Sequence, residues 1–378
     1  MGLPVSSLSP HTLTRKAQKT TGMNYPLNEL QNEALQRLCE SAEHDACLHP
    51  LGRFGVASIL VSAIENNLRW QDYYRVARPA VPQLNKPCLV VGLPRSGTTL
   101  LHRLLSLAED ARALKTWEVQ HPLPPTIGTD NRRKRVQRQL TNLYKMVPEL
   151  AVKHTVRVDD AEEDFWLLNA SLLSATFFVF APLYSYETWW RDQEMTDAYR
   201  IWSHLLGYFQ RQSPEKRLTL KAPIHTAFIE EILTVNPHIT LVQTHRDPVK
   251  IAGSLNSLFH TLQISVSNLR NTEELGERTL DRMAWIIDRN LDARESCSGN
   301  ILDIQYNDIV DNPAETVAMI HDQLEIPFTN EHNKRIERFL SNQHQREHGH
   351  HSYSLDECGL QELQVKNSLS RYYKQFFS

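Results

Sequence analysis

The stretch CLVVGLPRSGTT, residues 88–99, decides the fold of this chain. Residues 88–91 form a short apolar run of the kind found in strands that are buried on both faces. Gly92 and Gly97 have the glycine spacing of a phosphate-binding loop, and the residues that follow predict a helix over 98–107. The stretch therefore predicts a strand, a glycine-rich loop and a helix in direct succession.

The same order of strand and helix recurs along the chain. Strands are predicted at 218–220, 239–242 and 301–304, and they are followed by helices around 227–235, over 249–262 and from Asn312-Pro313 onward. Further helices are predicted at 131–146, 160–173, 194–211, 273–296, 315–324 and 331–341. This alternation predicts an α/β, P-loop-like three-layer fold with a central parallel sheet flanked by helices.

The N-terminal region follows a different pattern. Apolar residues between 27 and 79 recur with helical spacing, and Pro79, Pro82 and Pro87 end that pattern. We therefore expect a helical N-terminal layer, formed by residues 1–86 and packed on a core domain formed by residues 87–378.

The composition limits the partners and the compartment. A net charge of −3 over 378 residues gives no global basic field that would hold nucleic acid or an anionic membrane. The longest apolar stretch, 167–183, is interrupted by polar residues and a proline, so no membrane span is expected. The five cysteines are scattered and lack CxxC spacing, and residues 1–26 lack the apolar core of a signal peptide. We expect a cytoplasmic protein.

The glycine-rich loop departs from the loop of nucleoside-triphosphate enzymes at one position, because Thr98 stands where those enzymes have lysine. Backbone N–H groups of such a loop and the positive end of the following helix favour a bound phosphate or sulfate. Triphosphate enzymes also need an acidic residue after a second strand to hold Mg²⁺. The strand ends here carry Lys221 and His245-Arg246 instead. We therefore expect a donor with several fixed phosphates and no metal.

Two further segments, THRDP at 244–248 and IQYNDIV at 304–310, complete a resemblance to a known family. Together with the PRSGTT loop, they are similar to the superfamily of sulfotransferases that use 3′-phosphoadenosine 5′-phosphosulfate (PAPS), specifically its large bacterial-type branch. The likeness runs from about residue 87 to residue 377. It implies transfer of a sulfonate group from PAPS to a hydroxyl or an amine, with release of 3′,5′-ADP.

The resemblance also implies which residues bind the donor. In that family the loop wraps the 5′-phosphosulfate, and here the corresponding residues are Arg95, Ser96, Gly97, Thr98 and Thr99. Arg95 stands where the small-molecule cytosolic branch has lysine. The family's 3′-phosphate clamp corresponds to Arg246 and Ser254, and its nucleotide-contacting tyrosine corresponds to Tyr306. Asn307 replaces the glutamate that usually follows this tyrosine.

Sulfonate transfer is an in-line displacement, so the protein mainly positions the reactants, removes the acceptor proton and stabilises the leaving oxygen. The resemblance assigns charge stabilisation to Arg95 and to Lys221, although Ala222 replaces a frequent serine. Glu118 occupies the place where the tyrosylprotein and carbohydrate branches have a catalytic glutamate. The alternative bases are three histidines: His225, His121 and His154.

An aromatic cluster predicts a pocket for a small or lipid-like acceptor, with at least half of its members in the core. Its members are Phe177, Phe178, Phe180, Tyr184, Tyr186, Trp189 and Trp190. Near the C-terminus, the histidine-rich stretch 348–351 resembles a segment that closes over the donor. Two alternative functions stay open: a P-loop nucleotide kinase-like enzyme, favoured by the glycine spacing, and a non-catalytic nucleotide-binding protein of the same fold.

Overall fold

The computed structural model describes residues 8–80, 82–153, 155–297, 301–344 and 354–377. Within them, five strands form one parallel sheet: β1 (Cys88–Gly92), β2 (Ala111–Ala113), β3 (Arg217–Lys221), β4 (Thr240–His245) and β5 (Ile301–Gln305). Their order is β2-β3-β1-β4-β5. The predicted parallel sheet is confirmed. His154 and the histidine-rich stretch 348–351 lie outside the described residues.

Strand β1 lies at the centre of the sheet, and all five of its residues are buried. Val90 is in register with Lys221 of β3 on one side and with Val242 of β4 on the other. Parallel strands end at the same edge of a sheet, which is where ligands bind in open α/β folds. The loop after β1, Lys221 and the residues after His245 therefore share the carboxyl edge.

The α-helices in the described residues are, in chain order, α1 (Pro10–Thr21), α2 (Glu29–His44), α3 (Pro50–Ala77), α4 (Thr98–Leu105), α5 (Thr116–Gln120), α6 (Arg132–Met146), α7 (Pro148–Lys153), α8 (Thr176–Phe180), α9 (Tyr184–Arg191), α10 (Thr196–Gln212), α11 (Ile229–Val235), α12 (Pro248–Ile264), α13 (Thr272–Ser296), α14 (Tyr306–Asp311), α15 (Pro313–Gln323), α16 (Asn330–His344), α17 (Glu362–Ser368) and α18 (Ser370–Phe376). Short 3-10 helices span Asp164–Ser171, Pro223–Phe228 and Asp356–Cys358. None of these helices is both long enough and apolar enough to cross a membrane.

Helix boundaries follow local capping chemistry. Helix α2 starts at a capping box in which the Asn28 side chain accepts the Gln31 N–H and the Gln31 side chain accepts the Asn28 N–H. Helix α15 begins at Pro313, as predicted, because proline fits the first turn of a helix. The short strand β2 is not among the predicted elements, since three residues are too few to show a period.

The predicted helix over 160–173 is wrong. This segment forms the 3-10 helix Asp164–Ser171, which ends where Leu172 adopts a φ of 63°. The Ser171 hydroxyl donates to the Leu168 carbonyl oxygen at 2.6 Å and accepts the Leu173 N–H at 3.0 Å. A serine hydroxyl that bonds nearby backbone groups competes with the α-helical pattern, so the helix ends at this point.

The described chain divides into two compact units: the first comprises Met1–Pro82, Lys115–Gly207 and Leu258–Asn271, and the second comprises Gln83–Leu114, Tyr208–Ser257 and Thr272–Ser378. The whole sheet lies in the second unit, and helices α1 to α3 lie in the first. The predicted boundary between residues 86 and 87 stays a prediction.

Helices cover both faces of the sheet within the second unit. On one face, an apolar cluster joins the sheet to α4, α14, α15 and α16, and it comprises Cys88, Val90, Leu101, Leu104, Leu105, Val242, Ile304, Ile309, Val317, Ile320, Leu324 and Ile336. On the other face, α13 contacts the sheet through a 2.8 Å hydrogen bond from Gln243 Nε2 to Asn290 Oδ1. Burial of apolar area on both faces fixes the strands and so the edge at which they end.

Candidate phosphate-binding site

The loop between β1 and α4 depends on two glycines with positive φ. Gly92 has a φ of 129°, and a Cβ atom there would lie 2.5 Å from the Thr244 carbonyl oxygen. Gly97 has a φ of 95°, and a Cβ atom there would lie 3.0 Å from the Tyr306 ring. Only glycine fits both the backbone conformation and the space at these positions. The glycine spacing in the sequence therefore reports close packing of the loop against β4 and α14.

Buried hydroxyl groups brace the loop from the inside. Ser96 is fully buried, and its hydroxyl lies 2.6 Å from the Leu93 carbonyl oxygen and 2.6 Å from Thr244 Oγ1. The Gly92 N–H donates to Thr226 Oγ1 at 2.7 Å. Because the Ser96 N–H also donates to Leu93 O, both donors of Ser96 bond inside the protein. The structure therefore places Ser96 where it shapes the loop.

The first turn of α4 is open to an anion. Gly97 is the N-cap residue, and no side chain in the described part of the chain caps the helix. The first N–H groups of a helix have no partner within it and lie at the positive end of its dipole. Thr98 is buried in this turn and Thr99 is exposed. The turn can therefore donate backbone hydrogen bonds to a phosphate or a sulfate.

Two guanidinium groups lie beside this turn. Arg95 Nε donates to Ser254 Oγ at 3.1 Å, and Arg246 Nη1 donates to the Arg95 carbonyl oxygen at 2.9 Å. The Arg246 guanidinium lies 4.0 Å from the centre of the Tyr306 ring. The structure thus brings four residues that are far apart in the sequence into one connected cluster: Arg95, Arg246, Ser254 and Tyr306.

Neither guanidinium of this cluster is neutralised by a carboxylate among the described residues. The Nε of Arg246 is buried and has no hydrogen-bond partner in that part of the chain. The nearby Asp247 carboxylate instead accepts the Val249 N–H and the Tyr373 hydroxyl. Two adjacent cations without a counter-charge form a local positive field, which an anionic ligand would neutralise.

Lys221 lies at the same edge of the sheet. It is the last residue of β3, it is in register with Val90, and it is 3% exposed. His225 follows in the 3-10 helix Pro223–Phe228 and is fully buried. The structure therefore brings Lys221 and His225 to the strand ends that carry the loop and the arginine pair.

Glu118 and His121 belong to the first unit. Glu118 is buried in α5, and its Oε2 accepts the Lys115 N–H at 2.9 Å, so it caps this helix. His121 is also buried, and burial together with the positive charges of Arg135 and Arg69 holds its pKa well below the usual range. The imidazole of His121 is therefore neutral at neutral pH.

The aromatic cluster divides into two groups, as expected. Four members lie in the core of the first unit: Phe177, Phe178, Tyr186 and Trp190. Three are partly exposed: Phe180, Tyr184 and Trp189. The Trp166 ring centre lies 5.2 Å from that of Phe180. The accessible aromatic surface of the cluster is therefore formed by its three partly exposed members.

Thr226 and Thr244 have roles that sequence reasoning missed. Both are buried threonines that fix the loop from neighbouring segments, and neither belongs to the loop pattern itself. The sequence signal of Thr244 is its position before His245 and Arg246 in the THRDP segment, and that of Thr226 is its position after His225. These signals become informative only once the order of the strands is known.

Residues 87–330 match the model of the Sulfotransferase family. The structure is similar to the crystal structure of sulfotransferase STF9 from Mycobacterium avium, with a TM-score of 0.85, 26% identity, and coverage of 100% of this chain and 98% of that one. It is also similar to sulfotransferase STF1 from Mycobacterium tuberculosis, with a TM-score of 0.83, 25% identity, and coverage of 97% and 100%. No curated protein matches the sequence.

Proposed function

The chain belongs to the Sulfotransferase family, and from this premise we propose that it transfers a sulfonate group from PAPS to a hydroxyl or an amine of a small or lipid-like acceptor. The products are a sulfate ester or sulfamate and 3′,5′-ADP. The observation that carries the proposal is the pair Arg95 and Arg246, which lie together without a carboxylate among the described residues.

The donor has two separated anionic groups, and the site offers two sets of donors. The backbone N–H groups at the start of α4 and the Arg95 side chain would hold the 5′-phosphosulfate. Arg246 and Ser254 would hold the 3′-phosphate, and Tyr306 would contact the nucleotide. The buried Nε of Arg246 supports this assignment, since it lacks an acceptor in the described chain.

The absence of the loop lysine distinguishes this site from that of a nucleoside-triphosphate enzyme. Such enzymes rely on that lysine and on a magnesium ion to neutralise the β- and γ-phosphates. Here arginines and helix N–H groups serve in their place, so no metal is expected. A loop with Thr98 in place of that lysine therefore favours PAPS over ATP as the donor.

Three tasks remain for protein side chains in the transfer. As the bond between sulfur and the acceptor oxygen or nitrogen forms, the bond between sulfur and the phosphate oxygen breaks. Lys221 and Arg95 would stabilise negative charge on the leaving oxygen. Glu118 would accept the proton of the acceptor, with His225 and His121 as the alternative bases among the described residues. The partly exposed aromatic residues would contact the apolar part of the acceptor.

A reducing, cytoplasmic setting belongs to the same proposal. Its support is that all five cysteines are free in the structure. Disulfides form readily in oxidising compartments and are rare in the cytosol.

Two measurements test the function. In thermal unfolding, 3′,5′-ADP should raise the melting temperature in the absence of metal, whereas ATP with Mg²⁺ should not. Incubation of the protein and PAPS with a metabolite extract should then add a sulfonate mass to at least one metabolite. Stabilisation by ATP with Mg²⁺ alone would favour a kinase-like enzyme, and nucleotide binding without any transfer would favour a non-catalytic protein.

A further inference from the structure

The C-terminal helix α18 packs beside Arg246. Its Arg371 anchors it to α13 through ion pairs, 3.2 Å from Nη1 to Asp288 Oδ1 and 2.7 Å from Nη2 to Asp292 Oδ1. The neighbouring side chains of α18 then reach the segment 245–247, which contains Arg246. These contacts join residues that are 127 and 126 positions apart in the sequence.

Tyr372 and Phe376 enclose the residue that precedes Arg246. The Tyr372 hydroxyl lies 3.0 Å from His245 Nδ1, and both side chains are fully buried. The Phe376 ring stacks on the His245 ring with 3.8 Å between ring centres and an angle of 24° between planes. Burial raises the pKa of the Tyr372 phenol. The phenol thus contacts the side chain of the residue that precedes Arg246.

The direction of each hydrogen bond in this chain follows from the charge of His245. Burial lowers the pKa of His245, although its hydrogen bond to Asp303 opposes the shift, so the ring is neutral at neutral pH. The His245 Nε2–H donates to Asp303 Oδ1 at 2.8 Å, which leaves Nδ1 to accept the Tyr372 O–H. The network admits one arrangement of protons, and that arrangement fixes the side chain of His245, the residue before Arg246.

A second tyrosine supports the other partner of the 3′-phosphate clamp. The Tyr373 hydroxyl donates to Asp247 Oδ1 at 2.5 Å, and the same oxygen accepts the Val249 N–H at 3.0 Å. Asp247 therefore caps the start of α12, the helix that carries Ser254. Through Tyr373, α18 holds the first turn of this helix.

The guanidinium of Arg246 itself has few fixed contacts. Its Nη1 bonds to one carbonyl oxygen, its face lies on Tyr306, and its Nε has no partner among the described residues. A long side chain that no carboxylate among the described residues holds takes its position from its backbone. The network from α18 holds the side chains of the two residues that flank Arg246, His245 and Asp247.

We propose that α18 positions Arg246 and Ser254, and that its residues Tyr372 and Tyr373 set the preference of the enzyme for a nucleotide that carries a 3′-phosphate. This inference rests on the proposed function, since it assigns the 3′-phosphate to Arg246 and Ser254. The two tyrosines are positioning residues, because they act through His245 and Asp247, the neighbours of Arg246.

The test compares two nucleotides that differ only in the 3′-phosphate. Dissociation constants of 3′,5′-ADP and 5′-AMP are measured by calorimetry for the full chain and for Tyr372→Phe and Tyr373→Phe. Each substitution removes a single oxygen atom. We expect the Kd of 3′,5′-ADP to rise about fivefold, which corresponds to one net hydrogen bond. We expect the Kd of 5′-AMP to change by less than about twofold, because 5′-AMP does not engage the clamp.

Tyr144→Phe is the matched control. Its phenol also bridges two groups, since it donates to Val156 O at 2.9 Å and accepts the Val156 N–H at 2.7 Å, and it lies in the first unit. In Tyr144→Phe, the ratio of the Kd of 3′,5′-ADP to the Kd of 5′-AMP should be unchanged.

Three results would overturn the inference. Equal weakening of both nucleotides would indicate general damage to the site, and an unchanged ratio in both tyrosine variants would show that the clamp does not depend on α18. Failure of the unmodified protein to bind 3′,5′-ADP would overturn the proposed function itself, so the two failures are distinguishable. Melting temperatures measured in parallel identify a variant that does not fold. In that case the ratio of the two dissociation constants in the other tyrosine variant decides the test.

Discussion

The Nη1 nitrogen of Arg246 donates a 2.9 Å hydrogen bond to the carbonyl oxygen of Arg95, so the arginine that follows β4 is tied to the loop that follows β1. The Arg95 side chain continues this connection to Ser254. The two ends of the proposed donor site are therefore built as one structure. Damage at either end should be detected at the other.

Replacement of Arg246 by alanine should weaken 3′,5′-ADP about 10- to 100-fold, because it removes charge-assisted hydrogen bonds to a phosphate. The Kd of 3′,5′-ADP for Arg246→Lys should lie between those for the unmodified protein and for Arg246→Ala, because lysine keeps the positive charge but lacks the planar guanidinium group. Calorimetric titration measures both. Arg338→Ala, on the exposed surface of α16, is the control and should bind normally. Normal binding by Arg246→Ala would remove this residue from the site.

Gly97→Ala should reduce both stability and nucleotide binding. Gly97 and Gly128 have nearly the same φ, 95° and 91°, but a Cβ atom at Gly97 would lie 3.0 Å from the Tyr306 ring, whereas one at Gly128 would have no atom of the described residues within 4 Å. Gly128→Ala therefore carries only backbone strain, about 1 kcal/mol. Gly97→Ala should cost more than that in denaturant unfolding and should weaken 3′,5′-ADP about tenfold, since it displaces Tyr306. Equal effects of the two substitutions would contradict close packing at Gly97.

Glu118→Gln separates catalysis from helix capping. The amide oxygen of glutamine can still accept the Lys115 N–H, which Glu118 accepts at 2.9 Å, but an amide cannot take up a proton from the acceptor. If Glu118 is the base, turnover should fall about 10²- to 10⁴-fold while 3′,5′-ADP binding is kept. The transfer assay with mass detection measures the rate. A near-normal rate would reject Glu118 as the base and make His225 the first alternative.

Lys221→Ala should likewise lose turnover, by about 100-fold, because charge on the leaving oxygen is no longer stabilised. Binding of 3′,5′-ADP should persist, since the loop and the arginine pair remain. The same two assays apply, and Lys334→Ala, on the exposed surface of α16, serves as the control. Full turnover in Lys221→Ala would exclude the proposed role.

Stability should fall as the pH drops below about 6.5, the value for a histidine in an unfolded chain. Burial lowers the pKa of His321 and His332, as it does for His245, so the unfolded state binds more protons than the folded state in this range. The free energy of unfolding therefore has its full value above this pH. It decreases as the pH falls further, because these histidines take up protons more readily in the unfolded state. Denaturant unfolding at pH 7.5 and pH 5.5 measures the loss.

A double substitution of His321 and His332 tests how much of the pH dependence of stability comes from these two residues. His321 Nδ1 lies 3.1 Å from Pro327 O and His332 Nε2 lies 2.9 Å from Leu104 O, so His321→Asn and His332→Gln each keep a donor of similar reach. The double variant should lose less stability between the two pH values than the unmodified protein. The exposed His11→Gln is the control. The same slope in all three proteins would show that His321 and His332 do not titrate on unfolding.

The sequence was sufficient for four of the five strands and for the loop. Apolar runs such as 88–91 and the glycines at 92 and 97 are local signals, and local signals predict local structure. The 3-10 helix Asp164–Ser171 was not predictable in this way, because it depends on the Ser171 hydroxyl, which donates to the Leu168 carbonyl oxygen, and on the hydrogen bond from Trp202 Nε1 to Asp164 Oδ2. Hydrogen bonds of this kind do not alter a hydrophobic period.

The residues that position the site were the hardest to predict from the sequence. Arg95, Arg246, Ser254 and Tyr306 could be named from their motifs, and the structure joins them in one cluster. Thr226 and the tyrosines of α18 belong to no motif, and the contact that Thr244 makes with the loop does not follow from the THRDP segment in which it lies. Their roles depend on strand order and on the docking of the C-terminal helix, which are properties of the folded chain.

The most direct test of the central claim is a crystal structure of the protein with 3′,5′-ADP. We predict that the nucleotide lies at the carboxyl edge of the sheet, with its 5′-phosphate at the start of α4 and its 3′-phosphate in contact with Arg246 and Ser254. A nucleotide bound elsewhere, or an Arg246 side chain turned away from the 3′-phosphate, would contradict the account.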